Sequence, residues 1–435
     1  MLAEAFGMIV REDLLRSSKN VKTITLILYH ITIIIILWGS HAIAQENKAQ
    51  RKYSIDELTE MAIDKNPSLS SAISSIDIAK GDLRASRAYP NPEVEFFLDR
   101  GRSRENNNTD AEYGIAVTQP VEWPLKRRYR GKVAEEEIKV TEFEKDAVQT
   151  ELIFTTKELF YSILLAKKDV EISKQNLDTS KSLLSIIERK VEFGESRELD
   201  LIKAKVETLK FERELIRAES NLGAVKAILI RFLGGSLEKN FDVEGELLPP
   251  STIYSIDEIA EKVSTFNPQL KAQEAEVKRA GFSILEQKHM IVPDIFLQGF
   301  YDKEIDKTDL GGGIGISIPF WYQNQGGIQS AKAEERKAAS DLRLLEIETG
   351  NLIDDEYKNY KIAFEQSKIF SEELLSQAKR SLEIAEFSYE QGETELLDVL
   401  DALRTYRDTL REYYQVLYEF YVTEITLEKI AGGNL

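Results

Sequence analysis

Hydrophobic positions in the middle of the chain recur every seven residues. Ile163, Val170, Leu177, Leu184 and Val191 form one stripe, the seam of a coiled coil. The companion positions Ala166, Ser173 and Ser180 are small and let a second helix approach closely. From Pro124 to Lys190 only Gly131 interrupts the pattern, so one helix on the order of 100 Å long is predicted. It runs into Phe193-Gly194-Glu195-Ser196-Arg197-Glu198-Leu199-Asp200. Glycine takes a left-handed turn at little cost there, so this stretch is predicted to be the tip of a helical hairpin. The tip recurs as Gln391-Gly392-Glu393-Thr394-Glu395-Leu396, with Gly392 following Gly194 by 198 residues. Thr394 is expected to cap the helix after it. At the same offset Leu177, Leu184 and Val191 map onto Leu375, Leu382 and Tyr389.

Elsewhere the period drops to two. Val94, Phe96 and Leu98 alternate within Glu93–Arg100, and Tyr113, Ile115 and Val117 alternate with Gly114, Ala116 and Thr118. In the second half Ile295 and Leu297 alternate with Phe296 and Gln298, and Ile314, Ile316 and Ile318 alternate with Gly313, Gly315 and Ser317. These predict two strand pairs, with loops over Gly101–Asp110 and Asp302–Leu310. Apolar residues on one face and small or polar ones on the other fit transmembrane β-strands as well as half-buried hairpins. Four strands cannot close a barrel, and an open sheet edge cannot face lipid. A barrel would be shared between chains, with eight strands from two copies or twelve from three. The pattern alone does not choose.

The whole plan is used twice. Tyr53-Ser54-Ile55-Asp56-Glu57 recurs as Tyr254-Ser255-Ile256-Asp257-Glu258, and Asn66-Pro67 as Asn267-Pro268, both at an offset of 201. Thr118-Gln119-Pro120-Val121-Glu122-Trp123 matches Ser317-Ile318-Pro319-Phe320-Trp321, and Leu233-Gly234-Gly235 matches Ala431-Gly432-Gly433. Each half reads helix, strand, loop, strand, long helix, tip, helix. The first helix is expected to run from the Ser54 cap to about Ala88. The repeats are placed at 45–250 and 251–435, with Pro249-Pro250 at the joint.

Charged residues make up 30% of the chain, which suits long solvated helices. The net charge of −18 argues against nucleic acid, whose phosphates need a basic face. The absence of cysteine excludes disulfides, thiol catalysis, zinc–thiolate sites and a lipidated cysteine. Residues 23–38 are apolar, with Arg16, Lys19 and Lys22 before them and Ala42-Ile43-Ala44 after. That is the form of a secretory signal peptide over residues 1–44, with an upstream extension and cleavage after Ala44. A membrane anchor would need about 20 apolar residues.

With the halves aligned, residues 53–433 resemble the TolC-type outer-membrane efflux family, nearest its CzcC-like metal and cation branch. The resemblance is carried by the repeat, by Gln119-Pro120-Val121-Glu122-Trp123 with Lys126-Arg127-Arg128, and by Gly392 followed by Asp398-Val399-Leu400-Asp401-Ala402. Pro124-Leu125 stand where the family usually has a glycine. The resemblance implies a mainly helical chain with four strands. Three copies would form a twelve-stranded β-barrel in the outer membrane above a helical barrel spanning the periplasm. A periplasmic adaptor and an inner-membrane pump would be its partners, outer-membrane lipid would surround it, and no cofactor would be needed.

The family also implies roles at the tips. Asp398 and Asp401 match the aspartates that ring its periplasmic entrance, though an acid near a helix N-terminus also simply favours the dipole. Asp200 and Tyr389 match links that close the entrance. Thr394 occupies the place of their usual basic partner, which leaves Arg197 and Arg404 as substitutes. Gly194, Glu195, Ser196, Gly392, Glu393 and Thr394 would touch the adaptor. No enzyme is indicated: His30 and His41 lie in or beside the signal peptide, and His289 belongs to no triad or metal spacing. Gly311-Gly312-Gly313 precedes a strand, so it is no phosphate loop. The expectation is a passive exit duct for small molecules or metal cations. A type I protein-secretion exit and a coiled-coil envelope protein without a channel are the alternatives.

Overall fold

The computed structural model describes residues 51–102 and 109–435. The expected signal peptide, with His30 and His41, and the tip of the first strand loop lie outside the described residues. Two compact units divide the rest. In the smaller, residues 51–52 meet Asn240–Asp242, where the Asp242 N–H donates to the Arg51 carbonyl at 2.9 Å. The larger, Tyr53–Lys239 with Val243–Leu435, holds every element described below.

Its first repeat contains α1 (Ile55–Lys65), α2 (Pro67–Arg87), β1 (Glu93–Arg102), β2 (Thr109–Val121), α3 (Pro124–Glu192) and α4 (Glu198–Phe232). Its second contains α5 (Ile256–Phe266), α6 (Pro268–His289), β3 (Asp294–Lys303), β4 (Thr308–Ser317), α7 (Gln325–Ile369), α8 (Leu375–Gln391) and α9 (Leu396–Ala431). A π-helical turn, Phe370–Leu374, joins α7 to α8.

The helix expected from Ser54 to Ala88 is two helices. Pro67 supplies no N–H and holds Asn66 extended, so α1 must stop there. Asn66 serves both sides of the break. Its side-chain oxygen accepts from the Ser68 N–H at 2.9 Å, and its side-chain NH2 donates to the Phe232 carbonyl at the end of α4 at 3.0 Å. Asn267 does the same, capping through the Leu270 N–H at 2.8 Å and donating to the Ile430 carbonyl of α9 at 2.8 Å. The Asn-Pro pair therefore ties the end of each returning helix to the start of its own repeat. Ser54 and Ser255 open α1 and α5 with capping boxes to Glu57 and Glu258.

The strands form one antiparallel sheet in chain order, β1-β2-β3-β4, and the β2–β3 pairing joins the repeats. Direct partners put the expected apolar residues on one face: Val94 opposite Val117, Phe96 opposite Ile115, Ile295 opposite Ile316, and Leu297 opposite Ile314. All eight are exposed. The other face sets a phenylalanine against a glycine three times, Phe97 on Gly114, Phe300 on Gly311 and Phe296 on Gly315. At Gly114 and Gly311 the ring covers backbone where a side chain on the glycine would collide with it, whereas at Gly315 a Cβ would only touch Phe296. The glycine run thus lies inside β4, with Gly311 and Gly313 on the face away from the aliphatic residues and Gly312 on the aliphatic face. Both loops are shorter than expected. The ladder continues to Arg102 opposite Thr109 and to Lys303 opposite Thr308, leaving a turn at residues 304–307. Apolar alternation ends before the backbone pairing does.

The long helix is continuous through Gly131. It packs against α2, α4, α6 and α9. Ala166, Ser173 and Ser180 are buried, as their size requires, and the Ser180 and Thr208 hydroxyls bond at 2.8 Å between α3 and α4. Ile163 and Leu177 of the predicted stripe are buried, whereas Val170, Leu184 and Val191 are half-buried. Towards the tip Leu183 and Ile187 take the interior positions. A second core lies among α5, α7 and α9, around Tyr360, Phe364, Phe420 and Leu427. Among the described residues no helix is long and apolar enough to cross a membrane.

Candidate functional site

The two tips are built alike. Gly194 at φ 75° and Gly392 at φ 78° end their helices in the left-handed region. The Glu195 N–H returns to the Lys190 carbonyl at 2.7 Å and the Glu393 N–H to the Ser388 carbonyl at 2.9 Å. These bonds satisfy carbonyls that a helix end leaves free. Beneath both tips lies one shared core, with Leu183 and Ile187 of α3, Ala204 of α4, Tyr389 of α8, and Leu396, Val399 and Leu400 of α9. Gly194, Glu195, Gly392 and Glu393 are exposed, and Ser196 and Thr394 half-buried. Phe193, next to the first tip glycine, is exposed as well.

Thr394 does not cap α9. Glu395 is the cap residue, and the Asp398 carboxylate accepts from its N–H at 3.2 Å. The Thr394 hydroxyl is out of water with no hydrogen-bond partner. An acid one residue on, closing a reciprocal box with Asp398, outcompetes the threonine. Asp398 therefore caps the helix while remaining exposed. Asp401, a turn further, is exposed and forms no ion pair among the described residues; its charge acts on Arg404.

Tyr389 is buried beside Asp200 and Ser196. Burial pushes its phenol up, the Ser196 hydroxyl opposes the shift, and the Asp200 carboxylate adds to it. The phenol oxygen makes no hydrogen bond of normal geometry. Neither of the two arginines put forward as a basic partner bonds the Tyr389 phenol. Arg197 donates to Asp200 at 3.1 Å. Arg404 forms a two-pronged pair with Glu207 of α4 at 2.9 and 2.7 Å, and that pair with Lys210 holds the Glu207 carboxyl below its usual range. The pair starts a ladder that continues in Arg407 to Glu214 at 3.4 Å, and in Arg411 to Glu214 at 3.2 Å and Asp169 at 2.9 Å.

The group that reaches Tyr389 is one that sequence reasoning missed. Lys190, in the last turn of α3, donates to the Tyr389 carbonyl at 2.9 Å and the Glu390 carbonyl at 3.3 Å. Its ammonium also sits 4.6 Å from the centre of the Tyr389 ring. One hairpin thus supplies the cation that caps the helix of the other. Glu386 was missed too: burial, with Glu390 and Glu383 beside it, holds its carboxyl above the usual range. Nothing in local pattern marks either residue.

Among the described residues no group of three or more His, Asp or Glu side chains could hold a metal ion. His289 stacks on Tyr129, with ring centres 5.0 Å apart.

A family model described as "Outer membrane efflux protein" matches residues 58–235 and 261–433. The cobalt-zinc-cadmium resistance protein CzcC of Cupriavidus metallidurans is 25% identical over 384 residues, 87% of this chain and 90% of that one. A membrane protein from Pseudomonas aeruginosa superposes with a TM-score of 0.76 at 17% identity, covering 88% of this chain and 91% of the other. The Campylobacter jejuni CmeC outer membrane channel does so at 0.75 and 16% identity, covering 88% and 86%.

Proposed function

Since the chain belongs to the outer membrane efflux protein family, we propose that three copies close one exit duct, that its cargo is metal cations, and that its hairpin tips meet a periplasmic adaptor. The chain is the outer-membrane channel component of a tripartite efflux pump and is not an enzyme. The observation that carries the assembly is the sheet. Four strands present one aliphatic face, and among the described residues both edges, β1 and β4, are unpaired. Lipid cannot satisfy those edges. Pairing β4 of each copy with β1 of the next gives twelve strands, an even count that fits outer-membrane barrels. A stripe of exposed apolar residues on α4, Leu199, Ile202, Val206, Leu209 and Ile216, follows heptad spacing and supports a neighbouring helix at the same junction.

The likeness to a cobalt-zinc-cadmium resistance protein supports the cargo. So does the acidic mouth, where Asp398 and Asp401 stand exposed on the first turns of α9. Three-fold repetition would gather six carboxylates, and a narrow low-dielectric mouth focuses their field on cations. The tips Gly194, Glu195, Ser196, Gly392, Glu393 and Thr394, with Phe193, are the surface for the adaptor.

Planar-bilayer recording of the purified protein tests this. The wild type should conduct and be blocked from the periplasmic side by a trivalent cation. Asp398→Asn with Asp401→Asn keeps a capping oxygen at 398 and removes the charge, and should weaken the block about ten-fold. An unchanged block removes the entrance ring and leaves the duct. A stable monomer without conductance overturns the assembly.

A further inference from the structure

The segment around Lys126, Arg127 and Arg128 opens α3, at the opposite end of that helix from the hairpin tip. It lies at one end of the sheet. Glu93 pairs with Thr118 and Asp294 with Ser317, so β2 and β4 finish where β1 and β3 begin. Tyr89 ahead of β1, Trp123 after β2, and Phe320, Trp321 and Tyr322 after β4 therefore gather at that end, opposite the turn at residues 304–307. All five rings are exposed, Phe320 at 74% and Trp321 at 98%. Aromatic side chains this open, flanking an aliphatic sheet face, match the rings that lie at the membrane–water boundary.

The first two turns of α3 carry Lys126, Arg127, Arg128 and Arg130, with no acid in the first turn. Two of the four are neutralised. Lys126 pairs with Asp294 at 2.8 Å, and Arg130 grips Glu122 at 3.1 and 3.0 Å. The other two are not. Arg127 lies over the Tyr89 ring at 3.6 Å, and its Nη1 is out of water without an acceptor. Arg128 is exposed and has no partner among the described residues. Two unmatched guanidiniums at the positive end of a 69-residue helix repel one another and the helix dipole. An anion beside them would reverse that balance, and guanidinium binds phosphate through paired donors. The exposed rings limit which phosphate fits, because they also need hydrocarbon.

We infer that this belt seats the headgroup of an anionic glycerophospholipid, with Arg127 and Arg128 on the phosphate and Trp123 and Trp321 among the upper acyl chains. The inference rests on the outer-membrane duct reading. It adds a lipid-binding surface at the rim facing the helices.

The chain's tryptophans make the test local. Only the tryptophans Trp38, Trp123 and Trp321 occur, so in a full chain carrying Trp38→Phe the tryptophan fluorescence, excited selectively, comes from the belt alone. The protein is placed in phosphatidylcholine vesicles holding a minor share of phosphatidylglycerol, with bromine on the acyl chains of one lipid or the other. Brominated phosphatidylglycerol should quench well beyond its share, a preference of about five-fold for each arginine, falling as salt rises. Arg127→Gln with Arg128→Gln should reduce quenching to the lipid's share. Arg127→Lys with Arg128→Lys keeps the charge without the paired donors and should leave a reduced preference above the lipid's share, which separates charge from folding. Quenching in proportion to share in the wild type overturns the inference. So does absence of quenching by either lipid in vesicles that conduct, because the rings would then be covered by neighbouring copies. Conductance of the same vesicles reports separately on the duct.

Discussion

The first repeat runs its long helix unbroken over Pro124–Glu192, whereas the second divides the same length into α7, a π-helical turn and α8. The burial pattern explains the turn. Tyr360 and Ala363 are buried and follow the buried Ile163 and Ala166 by 197 residues, but Ala378 and Gly392 follow Ser180 and Gly194 by 198. Between Ala363 and Ala378 the second repeat holds one residue more than the first does between Ala166 and Ser180, and the turn absorbs it so that both flanks keep their inward faces. A helix tolerates an insertion only where its ladder widens to take it. Removing one residue from each repeat sharpens this contrast, with the largest effect expected of any change discussed. Deletion of Lys174 in α3 should rotate everything from there to the tip by about 100°, turning Leu177, Leu183 and Ile187 out of the core. Each forfeits about 1.5–3 kcal/mol, so no folded trimer should survive extraction. Deletion of Ser371 should leave assembly and conductance near wild type. Equal damage from both deletions would break the comparison.

The repeats also close differently at their ends. Gly234 and Gly432 are both left-handed, at φ 65° and 76°. A Cβ on Gly234 would come 3.3 Å from the Lys65 carbonyl oxygen, but one on Gly432 would meet the Phe266 carbonyl oxygen at 2.5 Å. Gly234→Ala should cost about 1–2 kcal/mol from its backbone conformation alone. Gly432→Ala adds a backbone collision and should cost about 2–5 kcal/mol in all. Thermal unfolding in detergent, compared at one scan rate, should rank them so.

The strand faces, the tips and the doubled plan were legible because they rest on local period and on glycine. Val94, Phe96 and Leu98 declare a face by themselves, and Gly392 declares a turn. The break at Pro67 was hidden by apolar residues that continue on both sides of it. Thr394 looked like a cap because the rule ranks single residues, while Glu395 and Asp398 win as a pair. The π-helical turn leaves no compositional mark, since an extra residue shows only against the packing of the other repeat. Lys190 was illegible for a different reason: its acceptors lie about 200 residues away, and no pattern within one helix points across hairpins.

Two glutamates give stability opposite dependences on pH. Arg404 and Lys210 hold the Glu207 carboxyl below its usual value of 4.5. Its stabilising contribution is complete above that value and is lost as pH falls through the lower folded one. Burial holds the Glu424 carboxyl above 4.5, against the opposing Tyr360 hydroxyl. There the neutral form is favoured on folding, so stability is lost as pH rises through the raised value. Glu207→Gln should cost about 2 kcal/mol at neutral pH and flatten the acid limb of the stability profile. Glu424→Gln should instead stabilise at neutral pH and leave the acid limb steep. Melting curves across pH for both variants check the signs.

The smallest effect on stability separates the tips most finely. Lys190 of the first hairpin caps α8 of the second, and its counterpart 198 residues on, Ser388, offers no amine in return. The first hairpin therefore holds the second by a contact that is not reciprocated. Lys190→Met keeps the packed stem and loses the ammonium. A cation at a helix C-terminus contributes about 0.3–1 kcal/mol, and its place over the Tyr389 ring adds a similar amount, so melting should drop only slightly. If the second hairpin must leave the first for the mouth to widen, the same loss falls wholly on the closed state. About 1 kcal/mol there shifts the balance of closed and open dwell times roughly five-fold towards open. Lys190→Arg retains the charge and should stay near wild type. Single-channel dwell times measure this directly. A lowered melting point with unchanged dwell times would mean that Lys190 is only a helix cap and that the hairpins part, if they part, somewhere other than Tyr389.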